Sequence, residues 1–468
     1  MKLNLRILIY LNPSNVNKTT HKFNLKSDSG FILVKNSILA LNEIEDWHYY
    51  VLVPTECIDT CWEDKPANVT LVEYPYINDA LNSRFHFDTN SLKNSFSNYT
   101  QDIDLIWTML PEHAGALRAF ANKRREEIPV FSYINWMDYK KKKGYEPSYL
   151  LRMVDGFLNS ELVGIQSIHM LNYMRDDLLK EHNVDYTKTA IIHPKTNLLS
   201  YSSYLGDIVG FPHRISTESG YREIEPFIFE HLKHKLWITN INNALVKPNS
   251  MLIDESFDSH EEYYKRLASI RYGISYHTGY SMWSMSVLDM MACGKVVLVP
   301  KKNAFPEMFS RDYPFFFEDE EEFIEKLNFL ETCEDETLQY WGRVNRGIVQ
   351  TELTWEVQAK ELSDYFNKLV HSKGNKKTPS VLEQIRKYKM VTKGDLINKN
   401  VTDFGRRCSR AWNKTRIELM RLGIKDDVRE SLTTFYVPEY NPDYGIQERP
   451  EKIKTPYQLK MEADREND

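Results

Sequence analysis

Short apolar runs alternate with longer stretches of helical period along the first 370 residues. Residues 5–10 (LRILIY), Tyr49–Val53, Val69–Val72, Asp104–Trp107 and Pro129–Tyr133 are too short for helices and mainly apolar. Such runs predict strands buried in a parallel sheet. Between them, Phe31, Val34, Ile38 and Leu41 recur at helical spacing behind Ser29-Gly30, and a helix is expected from about Glu112 to Arg125. Phe157–Ser160 and Ala190–His193 are expected as the last strands of this half, with a helix over Gln166–Leu179 between them. Residues 194–205 read as a hinge. The pattern then repeats: strand Asp207–Gly210, helix His260–Ile270, strand Tyr272–Tyr276, the buried run Val296–Val299 closed by Pro300, an acidic helix at 318–330 and a closing helix at 353–370. Strand and helix in alternation predict two doubly wound α/β domains, 1–195 and 205–370.

The stretch Tyr276–Met308 carries the most chemistry. Ser281 or Ser284 can cap a helix whose apolar positions are Met285, Leu288 and Ala292, and Gly294 is placed to end it in the left-handed conformation. Asp289 falls at the border of the buried face, where a carboxylate is costly unless hydrogen bonds are donated to it. A helix start with free amides suits a phosphate, and a carboxylate one turn on suits sugar hydroxyls. Together they suggest a nucleotide-sugar site. Gly30, at the tip of the first strand–helix unit, fits either a phosphate loop or a tight turn. The C-terminal ends of strands are where a parallel sheet collects ligands, which makes Glu112, His113, Asn135, Trp136 and Asp138 the acceptor-side candidates of the first half.

Asp289–Val297, DMMACGKVV, resembles the donor-site signature of retaining GT-B glycosyltransferases of the group-1, family-4-like kind: Glu, seven residues, then Glu-Ala-Met-Ala-Cys-Gly-x-Pro-Val. The resemblance implies that Asp289 holds the donor ribose where that family has its second Glu. The first Glu falls on Ser281, the glycines on Met282 and Ser284, and the Pro on Val296. It further implies a UDP-sugar as the first-choice donor and a diphosphate contacted by Arg214. Arg222 stands in for a Lys whose place falls on Ser219. Ser284, Met285 and Ser286 would offer helix amides, and His277 and Gly279 lie in the loop before them. Glu307 sits as in the family's Pro-Glu pair, and Asp138 and His113 become the catalytic candidates on the acceptor side. No metal motif is evident, and no cofactor beyond the donor is implied.

Composition sets the remaining bounds. The chain is 42% hydrophobic, 13% aromatic and 27% charged, with no apolar run near the roughly 18 residues of a membrane helix, so the cytoplasm is the expected compartment. Five cysteines suggest no disulfide framework, and Cys57 and Cys61 lack a second ligand pair for a metal. Charge is uneven: from Lys373 to Glu430 there are 16 Lys and Arg against 7 Asp and Glu, in a chain of net charge −6. Residues 378–437 are expected to form three helices and a strand at Thr433–Val437. On the third helix, Asp403–Leu422, Arg407, Arg410, Lys414 and Arg421 make a basic stripe. This resembles a winged-helix or helix-turn-helix module, whose cations would neutralise DNA phosphates. Residues 438–468 are expected to be a disordered charged tail.

With such a module, the acceptor implied is a hydroxymethylated base in DNA, as for the phage enzymes that glucosylate hydroxymethyl-pyrimidine DNA, with Trp136 stacking on a flipped base or its gap. Two alternatives stand beside this: a cell-envelope glycan or protein as acceptor, and a degenerate, non-catalytic GT-B scaffold that binds nucleic acid.

Overall fold

The structure is a computed structural model. It describes residues 3–16, 20–77, 87–97, 103–123, 128–134, 153, 156–174, 188–198, 205–213, 215, 219–239, 246, 249–255, 257, 260–276, 283–372, 390–392 and 434–436. The chain divides into two units, one of residues 1–138 and 152–378, the other of residues 139–151 and 379–468.

The first unit holds two parallel sheets. In the first sheet are β1 (Arg6–Tyr10), β2 (His48–Pro54), β3 (Val69–Tyr74), β4 (Leu105–Thr108), β5 (Val130–Ile134), β6 (Leu162–Ile165) and β7 (Thr189–Ile191), in the order β3-β2-β1-β4-β5-β6-β7. In the second are β8 (Ile208–Phe211), β9 (Lys235–Ile238), β10 (Leu252–Asp254), β11 (Gly273–Ile274), β12 (Val297–Pro300) and β13 (Phe316–Phe317), in the order β10-β9-β8-β11-β12-β13. Every pairing in both is parallel. Each sheet winds outward from its first strand and then resumes on that strand's other side. The switch points lie between β1 and β4 and between β8 and β11, and a doubly wound sheet opens its crevice at that place.

The predicted strands that were longest and most apolar are present. Phe157–Ser160 is a correction: residues 156–159 are helical, Ser160 Oγ donates back to the Gly156 carbonyl at 2.7 Å, and the strand is the next apolar run, Leu162–Ile165, paired with β5. Strands β9, β10 and β13 were not expected. They are two to four residues long, too short for an alternation or a run to stand out.

The closing helix, expected at 353–370, is Trp355–His371, and it packs with the first sheet. Trp355, Ala359, Leu362 and Phe366 join the core formed by Val34, Ile38, Leu41 and Trp107. The Phe366 ring lies 6.0, 5.7 and 5.2 Å from those of Trp47, Trp107 and Phe131. Ser37 Oγ donates to Gln358 Oε1 at 2.9 Å across the same interface. Among the described residues no helix is long and apolar enough to cross a membrane.

In the second unit Met390–Thr392 pairs antiparallel with Thr434–Tyr436. The latter agrees with the strand expected at Thr433–Val437. Met390–Thr392 falls in the part of residues 378–437 expected to be helical before Asp403 and is strand instead, as the β-branched Val391 and Thr392 favour. The basic stripe of Arg407, Arg410, Lys414 and Arg421 lies outside the described residues.

Candidate functional site

The helix Met285–Ala292 follows β11 at the switch point of the second sheet. Ser284 caps it from extended backbone, its Oγ accepting the Val287 N–H at 3.4 Å, so Ser284 is the cap of the two expected candidates. Gly294 ends the helix with φ 70°, the left-handed conformation only glycine enters cheaply. The helix lies close on the sheet because β11 begins with glycine: a Cβ at Gly273 would sit 2.1 Å from Met290 Sδ. At its start, Ser286 Oγ donates to the Pro212 carbonyl at 3.0 Å, which joins the loops after β8 and β11 across the crevice. Ser284, Met285 and Ser286 therefore meet at the crevice, with Met285 41% exposed. Arg222 is exposed on the first turn of Tyr221–His231, the helix after β8. Arg214, His277 and Gly279 lie outside the described residues.

Asp289 is 9% exposed, and the hydrogen bond it needs comes from a distant segment: Thr196 Oγ1 donates to Oδ1 at 2.7 Å. Burial pushes its carboxyl up to about 7, against the Thr196 bond, which lowers it. Its charge also helps raise the pKa of Tyr263, Tyr264 and Cys293, where burial is the larger cause and takes the thiol to about 12. Thr196 belongs to the segment leaving β7, and that segment is tied to the start of the closing helix. Thr196 N–H donates to Leu353 O at 3.0 Å. The buried Lys195 Nζ donates to Glu352 O at 2.8 Å and lies 3.3 Å from Glu361 Oε2. Burial lowers the Lys195 pKa and the Glu361 carboxylate opposes that shift. Thr196 and Lys195 thus link the Asp289 helix and the start of the closing helix.

Two further contacts cross between the sheets. Glu307, in the turn Phe305–Met308, accepts the Ile168 and His169 N–H groups at 2.7 and 2.6 Å. These are open amides at the start of Ile168–Tyr173, where a carboxylate is favoured. The His193 ring stacks on Trp283, 4.7 Å between centroids and 20° between planes. Sequence reasoning missed the roles of Thr196, His193 and Lys195, which fall in or beside a stretch read as a hinge. Glu307 was found by resemblance, but its amide partners carry no side-chain signal.

On the first sheet, Asp28 caps the helix Ser29–Asn42. Its Oδ1 accepts the Phe31 N–H at 3.0 Å, and its Oδ2 accepts those of Ser14 and Asn15 at 2.8 and 2.9 Å. The chain's own carboxylate occupies this helix start. Gly30 allows close approach there, since a Cβ would lie 3.3 Å from both Asn12 O and Asp28 Oδ1. Glu112 and His113 form a turn after β4 and are buried, the His113 ring 5.2 and 5.4 Å from those of Tyr10 and Phe87. Asn135, Trp136 and Asp138 lie outside the described residues. Among the described residues no group of three or more His, Cys, Asp or Glu is arranged to hold a metal. Cys57 and Cys61 are buried thiols whose pKa burial raises, to about 11 for Cys61.

Residues 250–364, which include the capped helix and Asp289, match the family model described as glycosyl transferase-like. No curated protein matches the chain. Among solved structures, sucrose-phosphate synthase from Thermosynechococcus elongatus superposes with a TM-score of 0.60 at 12% identity, over 79% of this chain and 100% of that one. Anabaena HepE in complex with UDP-glucose does so with 0.55 at 12%, over 78% and 100%. A glycosyltransferase from Rickettsia africae gives 0.57 at 12%, over 78% and 99%. The two-sheet unit has the GT-B fold.

Proposed function

We propose that the chain is a glycosyltransferase that moves a hexose from a nucleoside-diphosphate sugar, UDP-sugars first, to an acceptor hydroxyl with retention at the anomeric carbon. The observation that carries this is Asp289, a buried carboxylate one turn into a capped helix at the switch point of the second sheet. In this reading Asp289 accepts the ribose hydroxyls of the donor. The amides at Ser284–Ser286, with Arg214 and Arg222, stabilise the charge that develops on the leaving diphosphate. The solved HepE complex with UDP-glucose supports the choice of donor.

The acceptor reading rests on the appended segment. Its excess of Lys and Arg supports duplex DNA, with Arg407, Arg410, Lys414 and Arg421 on phosphates and a hydroxymethylated base flipped toward Trp136, Asn135 and Glu112. Asp138 and His113 are the acid–base candidates, the His113 ring being packed against those of Tyr10 and Phe87. The test is incubation with labelled UDP-glucose and other UDP- and GDP-sugars, with hydroxymethylated duplex, plain duplex or no acceptor. Label is expected in the hydroxymethylated duplex, with affinity falling against salt at a log–log slope of about −3.6 for roughly four phosphate contacts. Donor hydrolysis without transfer to DNA overturns the DNA acceptor and leaves a glycan or protein. Neither hydrolysis nor donor binding overturns the enzyme and leaves a scaffold.

A further inference from the structure

His193 lies at the C-terminal end of the first sheet, just after β7, and its ring rests on Trp283, the residue before the Ser284 cap of the donor helix. It is therefore at the seam between the sheets, three residues from Thr196, with its stacking partner Trp283 six residues from Asp289. Its Nδ1 lies 2.8 Å from the Gln166 carbonyl. A carbonyl only accepts, so Nδ1 carries the proton, and in the neutral ring Nε2 is left as a bare acceptor. Nε2 has no hydrogen-bond partner among the described residues. Burial, with Lys195 acting in the same direction, lowers the His193 pKa, while the Gln166 bond, Glu307 and Glu361 oppose the shift. The neutral tautomer is thus the form present near pH 7.

A structural histidine at such a seam needs only to fill space, and the Trp283 stack does that. Holding one tautomer with a main-chain carbonyl does more: it fixes the Nε2 lone pair on the side of the ring away from the Gln166 carbonyl. A neutral nitrogen acceptor beside a sugar-nucleotide site selects for hydroxyls, which donate to it, and discriminates against phosphate oxygens, which cannot.

We propose that His193 is a hydroxyl-reading residue of the cleft, its Nε2 accepting a hydrogen bond from a sugar hydroxyl of the donor or from the acceptor hydroxyl. The inference rests on the glycosyltransferase reading and adds a specificity residue to it. Gln166 and Trp283 are positioning residues that act through His193.

The test uses the full chain with UDP-glucose and its monodeoxy analogues, comparing wild type, His193→Phe and His193→Gln. Phe keeps a flat ring on Trp283 and removes the acceptor, and Gln restores an acceptor. The loss of one such bond lowers kcat/KM about 5- to 10-fold in His193→Phe, with His193→Gln recovering at least part of it. The wild type should also lose activity with one deoxy analogue, a loss that disappears in His193→Phe. Loss in donor hydrolysis without acceptor assigns the donor sugar, and loss confined to transfer assigns the acceptor hydroxyl. If His193→Phe turns over and discriminates among the analogues as the wild type does, or if its loss appears in hydrolysis and transfer alike and persists equally with every analogue, His193 only fills space. A wild-type chain that binds none of these donors overturns the glycosyltransferase reading and this inference with it.

Discussion

Replacing Thr196 by Val removes the hydroxyl that donates to Asp289 Oδ1 at 2.7 Å while keeping the shape of the side chain and the main-chain bond to Leu353. A hydrogen bond to a charged group contributes roughly 1.5–3 kcal/mol. At about 1.4 kcal/mol per pKa unit, its loss raises the Asp289 carboxyl by about one to two units. The carboxyl already stands at about 7 because of burial, so the variant's carboxylate is mostly protonated at neutral pH. A protonated Asp289 accepts ribose hydroxyls poorly. Donor kcat/KM at pH 7 should fall about 5- to 50-fold, recover most of the way above roughly pH 9.5, and show its acid limb displaced upward by about one to two pH units. Thr196→Ser should return the limb to its original place. The assay is the pH profile of UDP-glucose hydrolysis, with thermal melts to confirm folding. A Thr196→Val limb that coincides with the wild-type one would refute both the bond's role and the titration of Asp289 in donor binding.

Asp289→Asn should stabilise the free protein at alkaline pH even as donor affinity falls. The native carboxyl is raised from 3.8 to about 7, so between those values the native state holds a proton that the unfolded chain has released. Stability therefore falls as pH rises through that window, by up to about 4 kcal/mol. Melts of variant and wild type should diverge from pH 4 to pH 8, and a constant gap would contradict this. Glu307→Gln weakens two charge-assisted bonds from Ile168 and His169 and should cost about 1–3 kcal/mol in urea denaturation; an unchanged midpoint would show that water replaces the carboxylate without loss. Gly273→Ala drives a methyl against Met290 Sδ and should cost about 1–3 kcal/mol, partly recovered by adding Met290→Ala. A fully stable single variant would mean the helix shifts freely.

The helix Met285–Ala292 was legible in the sequence because its signals are local. A capping serine, apolar positions at helical spacing, a terminating glycine and a buried run lie within about two dozen residues, and Ser284, Gly294 and β12 all appear where those signals put them. The closing helix was legible as a helix, but which sheet it covers was not. That choice depends on Phe366 meeting Trp47, Trp107 and Phe131, a contact across more than two hundred residues that no periodicity encodes. Thr196 was illegible for the same reason: a lone threonine in a polar stretch looks like linker until Asp289 is placed beside it. Gly30 shows the opposite failure. Its local signal, glycine at a helix start, suits a phosphate loop, and only the folded loop reveals that the Asp28 carboxylate already takes the Phe31 amide of that helix and the Ser14 and Asn15 amides of the loop before it.

Aspartate at 289, where the resembling family carries glutamate, gains a physical reason from its surroundings. A glutamate has one more rotatable bond, and freezing it on binding costs more conformational entropy. Asp289 is shorter, and one of its oxygens is already held by Thr196, so little side-chain freedom is left for a ligand to remove. The cost of that arrangement is the ionised carboxylate's burial, which the free protein bears at neutral pH. Hydroxyls brought by a ligand relieve it, because each new hydrogen bond to Oδ1 or Oδ2 favours the charged form. Donor binding should then release no proton above roughly pH 8 and release a fraction of one near pH 7, where Asp289 is half protonated before the ligand arrives. Calorimetry of UDP-glucose binding in two buffers of different ionisation enthalpy reads that proton directly. Binding that proves independent of the buffer at pH 7 would mean that Asp289 is not the group on which the donor closes.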